Sequence, residues 1–345
     1  RGQVVSGEPG PPALREGPDP DGAAAILELG KTCDIVFETM KPGSMKKMGL
    51  DYEAFKAVKP DIIYCSISAF GQTGPKAKDP GFDILAQACS GIMDMTGERN
   101  GPPVKSGVII SDFISGKDAF GACMVALFHR FRTGEGQMID VAMQQCLASM
   151  NPFLEQATNG KDPHRQGTHS AGSAPYGVFK GPKDEYLVIA AHPDRHFAKL
   201  CTQVLERPEL VDDPRFVGGQ NRANHYRELA DIIEEWMSKF DSVDECKAIM
   251  DKAGIVCGKI LSCKQVIEDP QMLYRKGITD LPMPADREGT WRGRGATVLY
   301  SATPEVLGAA PVLGANNYEI LTQAGLSREQ VYELETRWGQ PIEKP

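Results

Sequence analysis

The stretch "LDYEAFKAVKPDIIYCSIS", residues 50–68, decides the fold. Its first half reads as a helix and its second, PDIIYCSIS, as a strong β run. The same alternation surrounds it. Upstream, DGAAAILELGKTC (21–33) has helical spacing and DIVFE (34–38) reads as a short strand. Downstream, a helix is expected near 82–92, another over about 116–132 (GKDAFGACMVALFHRFR), a strand at QMIDVAM (137–143) and a helix to about 158. Helices alternating with mostly apolar strands predict an α/β fold: a Rossmann-like parallel sheet covered by helices on both faces.

Working outward, residues 1–21 are rich in Gly and Pro without a hydrophobic period and read as an irregular tail. At the other side, NGKDPHRQGTHSAGSAPYG (159–177) is polar and aperiodic, a boundary or a functional loop. Beyond it, YGVFKGPKDEYLVIAA (176–191) reads as a β-hairpin, followed by helices at about 194–205, 221–239 and 243–253. Residues 284–318 read as irregular, and two short helices close the chain, with Ser327 and Gln330 spaced as a capping box. The expected organisation is therefore a tail (1–21), a large α/β domain (22–175), a smaller inserted α+β domain (176–285), and a linker with C-terminal helices returning to the large domain (286–345).

Composition bounds the partners. The 345 residues are 41% hydrophobic, enough for a sizeable core, and carry a net charge of -8 with both signs interspersed. Neither nucleic acid nor an anionic membrane is an expected partner. Nine cysteines, odd in number, scattered and without a CxxC pair, point to reduced thiols in a cytoplasmic setting. No apolar run approaches the ~18 residues that would span a bilayer.

Several motifs were weighed for chemistry. SDFISGKD (111–118) fails as a phosphate loop, because Ser111 stands where the first glycine belongs and Asp118 where the Mg²⁺-binding hydroxyl belongs. TGEGQMID (133–140) fails as a dinucleotide fingerprint and reads as a turn into a strand. His192 and His196 have the spacing of two metal ligands on one helix face, without an apparent third. SAFGQTGP (68–75) follows a strand, where open α/β sheets bind ligands. Asp112, set between VII and FI ahead of an expected helix, suits either a helix cap or a nucleophilic carboxylate.

The order of blocks carries a resemblance. CDIVFETMKPGSMKKMGLDYEAF (33–55), PDIIYCSISAFGQTGP (60–75), GFDILAQACSGIMDMTG (81–97), GPPVKSGVIISDFISG (101–116), ALFHRFRTGEGQMIDVAM (126–143) and TPEVLGAAPVLG (303–314) together resemble the class III CoA-transferases. That family includes formyl-CoA transferase and carnitine CoA-transferase. The resemblance implies an enzyme that moves CoA from an acyl-CoA to a small carboxylic acid, with the coenzyme A thioester as substrate and no permanently bound cofactor. It implies attack by an aspartate, here Asp112, through an aspartyl anhydride and an aspartyl-CoA thioester, the carboxylate being shielded yet kept ionised by the helix start. CoA contacts fall on Thr39, Met40 and Lys41, a pyrophosphate partner on Lys47, an aromatic-acidic pair near the thioester on Phe82 and Asp83, and a loop closing over the intermediate on Ala171, Gly172 and Ser173.

The related α-methylacyl-CoA racemases carry a histidine where this chain has Phe82, which cannot move a proton, so the transferase reading is preferred to a racemase-like isomerase. The resemblance further implies an interlocked homodimer. It also implies an upstream strand and helix that residues 1–21 do not match, which opens the alternative of an inactive CoA-binding remnant with an exposed sheet edge.

Overall fold

A computed structural model describes residues 20–284, 286–312 and 314–338. Of the expected tail, only Pro20 and Asp21 fall within that range, and they begin helix α1 (Pro20–Gly30). Next come β1 (Ile35–Glu38), the short α2 (Ser44–Lys47) and α3 (Tyr52–Val58). Asp51 caps α3 by accepting from the Ala54 N–H at 3.2 Å, and the helix ends ahead of Pro60, which disfavours helical geometry in the residue before it. Then follow β2 (Ile63–Ser68), α4 (Asp83–Cys89), α5 (Ile110–Thr133), β3 (Met138–Ala142), α6 (Met143–Ala148) and α7 (Leu154–Thr158).

The strands form a parallel sheet in the order β1-β2-β3, Ile35 opposite Ile63 and Cys65 opposite Ile139. Every residue of the central strand β2 is buried. Its alternate side chains serve two cores: Cys65 and Ile67 pack with α5, while Tyr64, with Ile62 just ahead of the strand, packs with Leu50 and Phe55 on the α1–α3 side. The face of α5 that meets the sheet is built from small residues, Ser111, Ser115, Ala119, Cys123 and Ala126, recurring at helical spacing.

The helix α5 starts at Ile110, well ahead of the expected position near 116. Asp112 therefore lies inside the first turn instead of capping it, and no side chain of the N-cap residue, Ile109, satisfies the helix end. At its other end Gly134, with φ of 80°, donates its N–H to the Arg130 carbonyl at 2.7 Å, so TGEGQMID is a turn into β3. Arg130 ties this end to the starts of β1 and β2 through Asp34 and Asp61.

A second, antiparallel sheet runs β4 (Tyr176–Lys180), β5 (Tyr186–Ala190) and, after three helices α8 (Asp194–Lys199), α9 (Gly219–Asn224) and α10 (Tyr226–Met237) and a fourth, α11 (Val243–Ala253), strand β6 (Val256–Lys259). The hairpin β4–β5 stands where the sequence places it. Helix α10 turns Leu229, Ala230, Ile233, Trp236 and Met237 into a core shared with Phe179, Leu187 and Ile189. Within that core Arg222 is 1% exposed, donating to the carbonyls of Ala174, Phe216 and His192 and to the Asp194 carboxylate.

Helices α12 (Cys263–Val266) and α13 (Pro270–Tyr274) lead to a hairpin of β7 (Ile278–Pro282) and β8 (Thr290–Arg294), the second strand lying in the stretch expected to be irregular. The chain closes with α14 (Asn317–Gln323), which touches α1, and α15 (Arg328–Trp338). The Ser327–Gln330 box forms: Ser327 N–H donates to Gln330 Oε1 at 2.7 Å and Gln330 N–H to Ser327 Oγ at 3.3 Å.

Candidate active site

The carboxyl ends of all three parallel strands open into one cleft of about 580 Å³. Thr39–Pro42 follow β1, Ser68–Phe70 end and follow β2, and Met143 follows β3; all of them line it. The wall opposite is the segment Asp79–Asp83 leading into α4, and Asp112 and Ser115 enter from the first turns of α5. Gly81 is required there, because a Cβ at that position would collide with the Ala69 Cβ. The turn after β2 is pinned from below, the Gln72 N–H donating to both oxygens of Asp140 at 3.1 and 3.0 Å.

The α5 N-terminus is satisfied from another helix. Asp83 Oδ1 accepts from both the N–H and the hydroxyl of Ser111, each at 2.8 Å. Asp83 Oδ2 accepts from Gln87 Nε2 at 2.6 Å, and Gln87 Oε1 accepts from the Ser106 N–H at 2.8 Å, fixing the segment before the helix. Gln87, Ser111 and Ser115 are buried, so this network holds α5 against α4 and sets where Asp112 emerges.

Asp112 itself is exposed, and among the described residues no group donates a hydrogen bond to its carboxylate. Partial burial, and then the neighbouring Asp83 charge, hold its pKa above the ordinary carboxylate value. The expected support from the helix start is not seen as a hydrogen bond to this carboxylate among the described residues. The backbone donors at that terminus are directed to other acceptors, and a second carboxylate stands beside it.

Residues 18–317 match the family described as CoA-transferase family III. The chain belongs to that family. It is 33% identical over 317 residues to the human succinyl-CoA:glutarate CoA-transferase, covering 88% of this chain and 69% of that protein. It is 32% identical to the succinyl-CoA–D-citramalate CoA-transferase of Chloroflexus aurantiacus, covering 92% of this chain and 79% of the relative. Among solved structures, a CAIB/BAIF family protein from Brucella suis superposes with a TM-score of 0.77 at 33% identity, over 89% of this chain and 80% of that one.

Within this family III chain, the cleft gathers Thr39, Met40, Lys41, Phe82, Asp83 and Asp112. Lys47 does not line it; the residue is exposed at the end of α2. Ala171, Gly172 and Ser173 also lie outside the lining, in a bend where the Ala171 N–H donates to Gln166 Oε1 and the Gly172 N–H to Ser170 Oγ. Phe82, 75% exposed, offers an apolar ring at the cleft wall. Sequence reasoning passed over Ser111, Gln87 and Gly81. Ser111 and Gln87 matter through contacts made across 28 and 19 residues, which no local spacing reveals. Among the described residues no group of three or more His, Cys, Asp or Glu is placed to hold a metal ion, and no helix is long and apolar enough to cross a membrane.

Proposed function

We propose that this chain transfers CoA between an acyl-CoA and a small carboxylic acid with Asp112 as nucleophile. The observation that carries the reading is the convergence of Asp112 with Thr39, Met40, Lys41, Phe82 and Asp83 in the cleft at the strand ends. The named relatives, which act on succinyl-CoA and on glutarate or citramalate, support it.

In the proposed mechanism an Asp112 oxygen attacks the thioester carbonyl, the C–S bond breaks, and CoA leaves as thiolate, giving a mixed anhydride. The thiolate then attacks the Asp112 acyl carbon, releases the donor acid as carboxylate and forms the aspartyl-CoA thioester. An acceptor carboxylate attacks that thioester, and the returning thiolate takes the acceptor acyl group and restores Asp112. Among the described residues no cation pairs with the Asp112 carboxylate, which suits the first step, since ion pairing would lower its nucleophilicity. Thr39–Lys41 would hold the CoA side, and Phe82, without a titratable group, favours transfer over racemisation.

The family's homodimer is also proposed here. Phe128 and Phe131 are exposed near the C-terminal end of α5, Phe131 at 89%, and a second copy would cover them. Light scattering of the Phe128→Asp/Phe131→Asp variant is expected to show a monomer where the unaltered chain shows a dimer.

The transfer reading is tested by mixing succinyl-CoA with labelled glutarate and following the appearance of label in glutaryl-CoA. Transfer is expected in the unaltered chain and absent in Asp112→Asn; transfer surviving in that variant would remove Asp112 from the mechanism.

A further inference from the structure

Asp112 lines two clefts. Besides the one at the strand ends, it borders a second of about 790 Å³ on the outer side of α5. Phe113, Gly116, Lys117 and Phe120 of α5 form one wall, and Val298 and Tyr300 of the segment after β8 form the other. The Arg294 guanidinium lies 5.5 Å from the centre of the Phe113 ring, holding the end of β8 against the first turn of α5. Gly116, one helical turn beyond Asp112, keeps the floor open: a Cβ there would meet nothing within 4 Å.

The two clefts differ in chemistry. A thioester whose CoA side lies with Thr39–Lys41 and whose carbonyl reaches Asp112 has its acyl chain at the junction of the two clefts, because Asp112 borders both. The second cleft continues there: Phe113, Phe120, Val298 and Tyr300 are its apolar lining, Lys117 its one cation, and Thr297, Thr303 and Glu305 its polar side chains on the segment after β8. Among the described residues no carboxylate lies within ion-pair distance of Lys117. Lys117 is five residues from Asp112, about 7.5 Å along the helix axis, and its long side chain can reach back over that span.

We propose that the second cleft holds the acyl group and acceptor acid, and that Lys117 reads the remote carboxylate of a dicarboxylic acid while Phe113 and Phe120 flank its methylenes. This rests on the transferase reading above and assigns to a residue of this chain the selection of dicarboxylates over monocarboxylates. One carboxylate reacts at Asp112 and the other pairs with the ammonium, so a chain of a few methylenes is the natural fit.

The test compares glutarate with valerate as acceptors, using butyryl-CoA as a common donor. Lys117→Met is expected to lower kcat/KM for glutarate by about ten- to a hundred-fold, the worth of a hydrogen bond to a charged group. Valerate should be unaffected or improved, and Lys117→Arg should keep most of the glutarate rate. Gly116→Val should impair both acids by filling the floor. An equal loss for the two acids in Lys117→Met, or none for either, would overturn the proposal. CoA thiol released from butyryl-CoA in the presence of hydroxylamine reports the first half-reaction separately. Release that depends on Asp112 but not on Lys117 keeps the transferase reading whatever the acid preference, whereas release independent of Asp112 would remove that reading and this proposal with it.

Discussion

Two charges in this chain are treated in opposite ways. Arg222, in the core behind the antiparallel sheet, is 1% exposed and has acceptors arranged around it: three carbonyls, the Asp194 carboxylate, and the Phe197 ring 4.5 Å below its guanidinium. Asp112 stands exposed at the end of the parallel sheet with no donor among the described residues and a like charge, Asp83, beside it. A buried ion is tolerable only when its hydrogen bonds are met, and there it fixes packing. A carboxylate whose neighbours raise its proton affinity is a poor structural element, and under the proposed function Asp112 is kept for reaction.

The largest separation between the two should appear on removing each charge. Asp112→Asn is expected to lower transfer by at least about 10³-fold, because the other carboxylate of the cleft, Asp83, has both oxygens held by Ser111 and Gln87 and does not replace the nucleophile. The same variant should unfold at a higher temperature at neutral pH. The folded-state pKa of Asp112 is raised, so its ionised form is disfavoured by folding, and that cost is present above its folded pKa and vanishes below the ordinary carboxylate range. Thermal scans at pH 7 and in acid should show the gain only at pH 7. Arg222→Met should do the reverse, leaving three carbonyls without a donor and costing about 3–5 kcal/mol of stability by urea denaturation, with the residual folded fraction active.

Smaller effects sharpen the picture. Gly81→Ala, which drives a Cβ into Ala69, should distort the cleft and reduce kcat/KM by about ten- to a hundred-fold, the equivalent of about 1–3 kcal/mol of overpacking, with little change in folding. The acid limb of the pH profile for kcat/KM should lie above the ordinary aspartate range, since the anion is the nucleophile. Asp83→Asn should move that limb downward by removing the like charge; an unmoved limb would show that burial alone sets it.

Much of the parallel sheet was legible in the sequence. From Ile62 to Ser68 the stretch PDIIYCSIS is buried because it forms the central strand, and buried strands lose the alternation of half-exposed ones. The start of α5 was not legible. SGVIIS offers no local cap, and the acceptor for Ser111 comes from Asp83 on α4, so only the folded chain shows that the helix begins before Asp112. The strand Thr290–Arg294 was missed for a related reason: its partner is Ile278–Pro282, and TWRGR, interrupted by glycine, carries a weak β signal alone. Thr39, Met40 and Lys41, named from the resemblance, directly follow β1 and line the cleft. Lys47 and the bend Ala171–Ser173, named from the same resemblance, are outside its lining.

The most direct test of Asp112 as nucleophile is chemical trapping. The protein is incubated with succinyl-CoA and hydroxylamine, digested with trypsin, and the peptide Ser106–Lys117 is examined by mass spectrometry. Hydroxylamine intercepts an aspartyl anhydride or thioester and leaves a hydroxamate on the aspartate that formed it. A hydroxamate on Asp112, dependent on succinyl-CoA, is the predicted result; an unmodified Asp112 peptide, while transfer proceeds or another carboxylate is labelled, would contradict it.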